Sequence, residues 1–469
     1  MTSNGPLASA QPFSIFRRAA SVALIAATVF VLIDGLSGRH LAALAALALI
    51  TSYLCLSWTL IRTNARIMLM SAVVGAVLYI VFFGDLKGLG LAASRALYLP
   101  SLLTVMTLLR VAAEGARSIA IVTDFLIDQP PSRRFLLLMA GGHVFGILLN
   151  LGGYQLLLGV SIAERDRSAP TPEIAEIQGR RISSAILIGF AATLLWSPVG
   201  VTLNLLLPLV PDIDWIGFLP YGVTLTVVFL FLGWAVDRMG PRPRRKHVPH
   251  PHPGAAGALI SLLTLMISVV AISALFEALA GIPMRSAILF VVPALALVWT
   301  LLNANGAPAQ AMHRLSRGSF HALPESATEI CLVTANGFLG LLVAEMIPPD
   351  AVMAIATKLS LGPALLAICV MMLIAALSMI GISPMITGAA SLGAIISAGL
   401  PVPEIMILLA VLIGYNVAML ISPMTATVGM TAGAVQKSAL TVGLRWQGKF
   451  ILTYVGLTAM AFVIWGSLL

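Results

Sequence analysis

The sequence predicts an all-α polytopic membrane protein, with roughly 10 to 13 transmembrane helices of about 20 residues each, two internal repeats, discontinuous helices and re-entrant hairpins. Three observations lead there. Of 469 residues, 59% are hydrophobic and 10% charged, with a mean hydropathy of +1.02, whereas about a quarter of a soluble domain is charged. Most of the 27 Lys and Arg lie in short loops between apolar runs, where the positive-inside rule puts them. Finally, Ser197-Pro198-Val199-Gly200, Ser383-Pro384-Met385 and Ser422-Pro423-Met424 each interrupt or end a long apolar run. Proline has no N–H and clashes with the preceding turn, so each phrase stops a helix and leaves free carbonyls before it and free N–H groups after it. Inside a bilayer such groups are tolerated only where they are buried in protein or line a water-filled cavity.

Regular apolar windows cover residues 19–33, 41–61, 67–83, 91–109, 216–236, 255–279, 287–302 and 451–468. The first follows Arg17-Arg18 as a signal peptide would. It ends in Asp34-Gly35-Leu36-Ser37-Gly38-Arg39 without a small-x-small cleavage site, and another span follows at once, so it is assigned to the first transmembrane helix. The less regular regions, 135–162, 182–210, 329–347 and 362–434, hold the Ser-Pro phrases, many glycines and nearly all the membrane-depth amides. Cys55, Cys331 and Cys369 lie in or beside apolar segments without metal-ligand spacing and read as small buried hydrophobes.

Arg17, Arg18, Arg62, Arg66, Arg110, Arg117, Arg133, Arg134, Arg165, Arg167, Arg180 and Arg181 mark one side. The charge rule makes that side the cytoplasm, with the N-terminus there, in a cell inner membrane. The strongest mark is Arg238-Met239-Gly240-Pro241-Arg242-Pro243-Arg244-Arg245-Lys246-His247, inside a halfway linker over 237–254. His247, His250 and His252 alternate with proline there, a pattern better read as a solvated linker than as a metal site. The expected organisation is N-terminal helices over 1–66, a first repeat over 67–236, the basic linker, a second repeat over 255–443 and a C-terminal helix over 444–469.

Arginine-rich loops flank 135–162 at both ends, so this segment must enter and leave on one side. A re-entrant hairpin is favoured over one long tilted helix, because Gly141-Gly142 and Gly152-Gly153 provide turning points. A broken helix follows over about 182–210. The second half carries an echo: Gly146 lies against Gly340, an offset of 340 − 146 = 194, and Ser197 against Ser383, 383 − 197 = 186. A hairpin-like segment over 329–347 and a broken helix over 363–399 are therefore expected. An inverted second hairpin would enter from outside, yet His313, Arg314, Arg317 and His321 before it look cytoplasmic. From sequence, the parity stays open.

Gly142-His143-Val144-Phe145-Gly146-Ile147-Leu148-Leu149-Asn150, Gly381-Ile382-Ser383-Pro384-Met385-Ile386-Thr387-Gly388 and Ile421-Ser422-Pro423-Met424-Thr425-Ala426-Thr427, in this order of scaffold, hairpin and broken helix, resemble the ion transporter superfamily. That group includes arsenite permeases, divalent anion:sodium symporters, gluconate-type permeases and the large membrane subunits of tripartite carriers. The resemblance implies the fold and an alternating-access mechanism. The symporter branch carries a Ser-Asn-Thr tripeptide at its hairpin tips, which this chain lacks, so a dicarboxylate substrate is not implied.

Free N–H groups at a helix start, with the positive end of its dipole, favour an anion without a basic side chain. Ser197, Thr202, Asn204, Ser383 and Thr387 near the breaks, with the deep amides Asn150 and Asn336, are the candidate substrate ligands. His143, Ser422, Thr425 and Asn416 are the candidates for proton or ion coupling. Against this, Ser and Thr near proline commonly re-satisfy a kinked backbone, amides serve as interhelical glue, and a lone histidine is more often a packing residue. No metal ligands, catalytic residues or nucleotide-binding P-loop are visible. The expectation is a secondary transporter for a small anionic solute, driven by sodium or protons, with no other cofactor. Its partners would be the lipid bilayer and the solute, not nucleic acid, and a homodimer is compatible. The alternatives are a membrane transferase or polymerase on a lipid-linked substrate with His143 as base, or a subunit of a multi-component transporter.

Overall fold

The structure is a computed structural model and describes residues 15–38, 40–169, 171–240, 250–304 and 306–468. The basic run 241–249, with His247, lies outside the described residues. Six helices come first: α1 (Ile15–Ser37), α2 (His40–Leu56), α3 (Thr63–Phe83), α4 (Leu86–Ala96), α5 (Tyr98–Glu114) and α6 (Arg117–Ile127). Next are α7 (Pro131–Ser168), α8 (Pro172–Ala191), α9 (Val201–Leu206) and α10 (Trp215–Arg238). Then follow α11 (Ala255–Ala280), α12 (Met284–Leu302), α13 (Pro308–Glu325), α14 (Ala327–Met346) and α15 (Pro349–Lys358). The chain closes with α16 (Pro363–Met379), α17 (Pro384–Ser397), α18 (Glu404–Ile421), α19 (Ala426–Val435) and α20 (Gln447–Gly466). Among the described residues, ten helices are long and apolar enough to cross a membrane, or eleven if α15 and α16, bent by 113°, form one span. The fold is an all-α polytopic membrane fold.

Within α7 the chain reverses at Asn150, which has φ 52° and ψ −139°. A Cβ on Gly153 would lie 2.5 Å from the carbonyl oxygen of Phe145, whereas eight residues of unbroken helix would hold the two about 12 Å apart. The arms 131–149 and 151–168 thus form a hairpin with both ends on one face. The second reversal comes between α16 and α17, where Gly381 takes φ 98° and Ser383-Pro384 starts the returning arm.

Each hairpin is followed by a helix that breaks at a Ser-Pro phrase, α8 at Ser197 and α18 at Ser422, and then by a long closing helix, α10 or α20. The equivalence extends to single contacts. Gly189 of α8 packs on the carbonyl of Met139 in its hairpin, and Gly414 of α18 packs on that of Met371. Gly222 of α10 meets the carbonyl of Leu195 just before one break, and Gly443, ahead of α20, meets that of Ile421 before the other. The spacing repeats too: 414 − 189, 422 − 197 and 427 − 202 all equal 225.

The two repeats run in opposite directions. Tyr221 near the start of α10 stacks on Trp465 near the end of α20, and Phe229 meets Phe450 and Tyr454, so these helices are antiparallel. The first hairpin opens beside the end of α10, where Arg181 bonds both Asp237 and the Pro131 carbonyl. The second opens beside the end of α20, where Gly466 packs on Ala364. The hairpins therefore enter from opposite faces.

Several expectations about the repeats need correcting. Ser197 is matched by Ser422, not Ser383; Ser383 lies at a hairpin tip, the place Asn150 holds in the first repeat. Residues 329–347 are not hairpin-like: they form the unbroken helix α14, which crosses once and thereby settles the parity. The segment expected as a broken helix over 363–399 is the second hairpin, and Gly340, outside it, is no counterpart of Gly146. The short sequence echo misled because glycine pairs recur wherever helices pack closely.

Candidate functional site

The reversal at Asn150 places a non-glycine residue at positive φ, a conformation that costs on the order of 1–3 kcal/mol and persists only where surrounding contacts enforce it. One such contact is a hydrogen bond to α14, in which Asn150 Nδ2 donates to Glu329 Oε1 at 3.0 Å. Arg110 of α5 lies over Gly152, where a side chain would meet its Cδ at 2.9 Å and its Nη1 at 3.1 Å. Tip 1 is thus a meeting of Asn150, Glu329 and Arg110, all half-buried. Sequence reading placed Arg110 at a helix end and passed over Glu329 as the edge of a window.

α14 links the two tips. Glu329, Asn336 and Gly340 fall on one face of this helix at spacings of seven and four. Glu329 meets tip 1, while Gly340 packs on Met385, Ile386 and Ala389 just past tip 2. The stretch between them is about 16 Å of helix, and Asn336 lies on it with its Oδ1 buried and unpartnered. Two residues expected as ligands, Asn150 and Asn336, therefore share one helix face with the start of α17.

At tip 2, Ser383 caps α17, its Oγ accepting from Met385 N at 3.3 Å, and Thr387 donates back to the Ser383 and Pro384 carbonyls. The second break is fastened to this tip. Ser422 Oγ donates to the Ser378 carbonyl at 2.6 Å, and Met424 lies against Gly381. Thr425 Oγ1 donates to the Ser422 carbonyl at 2.8 Å, and Thr427 Oγ1 to the Met419 carbonyl at 3.0 Å. These hydroxyls re-satisfy the carbonyls that the proline left free.

The first break differs. Ser197 Oγ is buried without a partner. Asn204 Nδ2 donates to the Pro198 carbonyl and, at 2.9 Å, to that of Gly200, so the amide does here what hydroxyls do at the second break. Thr202, buried in the first turn of α9, lies beside Tyr415. A cavity of about 230 Å³ reaches this break; Pro198, Asn204, Asp214, Glu277 and Arg285 are among its lining residues.

His143 is committed on both sides. Its Nε2 accepts from Trp196 Nε1 at 3.1 Å, which leaves Nδ1 to donate to the Gly189 carbonyl at 3.2 Å. A neutral ring in this tautomer satisfies both bonds and ties the hairpin to the broken helix. Asn416 donates to the Ala191 carbonyl at 2.7 Å where the two broken helices cross, with its Oδ1 buried and unpartnered. Tyr154 of hairpin 1 reaches across to Thr431 and the Thr427 carbonyl of α19. Tyr415 and Tyr154 went unread in sequence, because a cross-repeat contact leaves no local signal.

At the end of the linker, His250 Nδ1 and His252 Nε2 lie 3.1 and 3.0 Å from Asp128 Oδ2, so this end is docked on the turn after α6. Among the described residues no group of three or more His, Cys, Asp or Glu is arranged to hold a metal.

No family model matches the chain, and no curated protein matches it in sequence. Among solved structures, the Alcanivorax borkumensis YdaH transporter overlays with a TM-score of 0.44 at 16% identity, covering 76% of this chain and 84% of that one. Neisseria gonorrhoeae MtrF, described with a class of antimetabolite efflux pumps, overlays with a TM-score of 0.41 at 14% identity, covering 84% of each chain.

Proposed function

We propose that the protein is a secondary active transporter that moves a small anionic solute across the inner membrane by alternating access, coupled to sodium or protons. The observation that carries this reading is the pair of oppositely oriented repeats, each with a hairpin packed along its own broken helix inside the protein. Irregular backbone at membrane depth between inverted repeats is where secondary transporters hold substrate. Helices starting at both tips turn their positive ends inward, which favours an anion. Ser197, Thr202, Asn204, Asn150, Asn336, Ser383 and Thr387 are the proposed solute ligands; Ser197 and Asn336 support this best, since each has a buried oxygen with no protein partner. The N-terminus, with the arginine-rich loops, is assigned to the cytoplasm.

Uptake into proteoliposomes, screened across organic and inorganic anions under sodium or pH gradients, tests this. A wild-type protein that moves no solute under either gradient refutes it. Ser383→Ala with Thr387→Ala should abolish uptake at normal expression, and unchanged uptake removes both from the site. The enzymatic alternative needs His143 free to take a proton, and both of its nitrogens are engaged.

A further inference from the structure

The group at tip 1 has a feature that solute binding does not use. Glu329 is the third residue of α14, and its neighbour Thr328 Oγ1 accepts from Arg62 N, so the carboxylate lies level with the arginine-bearing end of α3. The first hairpin spends about 28 Å of helix, residues 131–149, to reach it. Glu329 is half-buried. Its Oε1 accepts from Asn150, while Arg110 acts on it through space without a direct ion pair. An ionisable residue in a spanning helix defaults to a functional role.

We propose that Glu329 is the proton-binding site of the protein and that the Asn150 amide reads its charge. This rests on the transport reading above and names its coupling ion. The proton arrives from water and adds to Oε2, and Oε1 changes from a charged to a neutral acceptor. Hydrogen bonds to an ionised acceptor are roughly twice as strong as neutral ones, so protonation loosens the tip from α14.

Other charged and titratable groups surround Glu329. From α5 it faces Arg110, with Glu114 one turn on. On the α2 side is Tyr53, whose hydroxyl is spent on the Leu323 carbonyl. On the α3 side Arg66 donates to the Trp58 carbonyl and covers that indole. On α13, His321 and Glu325 pair with each other at the surface. α17 carries no ionisable residue, and Lys87 and Arg95 of α4 belong to the far end of α14. On the hairpin itself His143 is turned to Gly189 and Trp196.

Hydrogen–deuterium exchange at the tip, residues 148–153, in the full-length protein in liposomes tests the assignment without a solute. After correction for intrinsic exchange, wild-type exchange should rise about tenfold as pH falls through a one-proton transition, the ratio for losing about 1.4 kcal/mol of hydrogen-bond strength. Glu329→Gln keeps the shape and an acceptor for Asn150, and should exchange fast at every pH; Glu329→Asp should still titrate. A flat wild-type profile, or the same transition in Glu329→Gln, overturns the proposal. In uptake, Glu329→Gln should lose accumulation driven by a pH gradient. A wild type driven by sodium alone, with Glu329→Gln unchanged, overturns the coupling role. If the wild type moves no solute at all, the transport reading fails, and the exchange profile still decides whether Glu329 binds the proton.

Discussion

Gly414→Ala probes the contact that holds each broken helix against its hairpin. A Cβ there would lie 2.7 Å from the Met371 carbonyl oxygen, 3.1 Å from the Met371 Cα and 3.2 Å from the Ile374 Cβ. Ordinary carbon contacts begin near 3.4 Å, so α16 and α18 must part by several tenths of an ångström. All three neighbours are backbone or Cβ atoms, and no rotamer change relieves them. Overpacking of this kind costs about 1–3 kcal/mol, and alanine returns up to about 1 kcal/mol through helix propensity. The expected net loss is about 1–2 kcal/mol, read as a lower midpoint of unfolding in detergent. Gly189→Ala should behave alike, since it meets the Met139 carbonyl in the equivalent place. Gly433→Ala is the control: nothing lies within 4 Å of it in α19, and it should be neutral or stabilising. A Gly414→Ala protein as stable as wild type, or a Gly433→Ala protein equally weakened, would refute the packing argument.

Four further outcomes follow from the polar contacts. Arg181 and Asp237 form a two-pronged pair with both bonds at 2.8 Å and side chains 9% and 8% exposed; Arg181→Ala should cost about 3–5 kcal/mol, and Arg181→Met with Asp237→Leu should recover much of it in the same unfolding assay. Ser422→Ala should lower stability by about 1 kcal/mol through loss of its bond to the Ser378 carbonyl. Ser197→Ala, which breaks no protein bond, should leave stability intact and lower uptake, and unchanged uptake would remove it from the site. Asn150→Asp sets a second carboxylate against Glu329 and should cost about 1.5–3 kcal/mol near neutral pH, a deficit that shrinks as acid neutralises the pair; a pH-independent deficit in midpoint would contradict this.

Much of the architecture was legible because the bilayer enforces it. Apolar length gave the spans, and proline gave the breaks at Ser197, Ser383 and Ser422 without reference to tertiary structure. The pairing of those breaks was not legible. Gly189 and Gly414 carry it, eight residues before Ser197 and Ser422, and their role shows only once each is seen on a methionine carbonyl. The candidate site was half legible for a related reason. Deep amides such as Asn150 and Asn336 stand out against apolar neighbours. Glu329 and Arg110 lie near helix ends, where sequence reads charge as wet or snorkelling, and only the reach of hairpin 1 makes them interior.

The interlock of the repeats says which parts must move together. Asn416 holds Ala191, and Tyr154 holds Thr427 and Thr431, each bond joining one repeat to the other. Four breaks tied in this way form one block, and a hairpin cannot open without dragging its neighbour's broken helix. The face this block presents to α14 is of a different kind. Gly340 meets Met385, Ile386 and Ala389, and Gly393 meets Ala344, small residues that let the two helices approach closely. On that smooth face Asn150 and Glu329 form a directional hydrogen bond to α14 itself. The proton site proposed at Glu329 would act on this bond, which ties the block to α14.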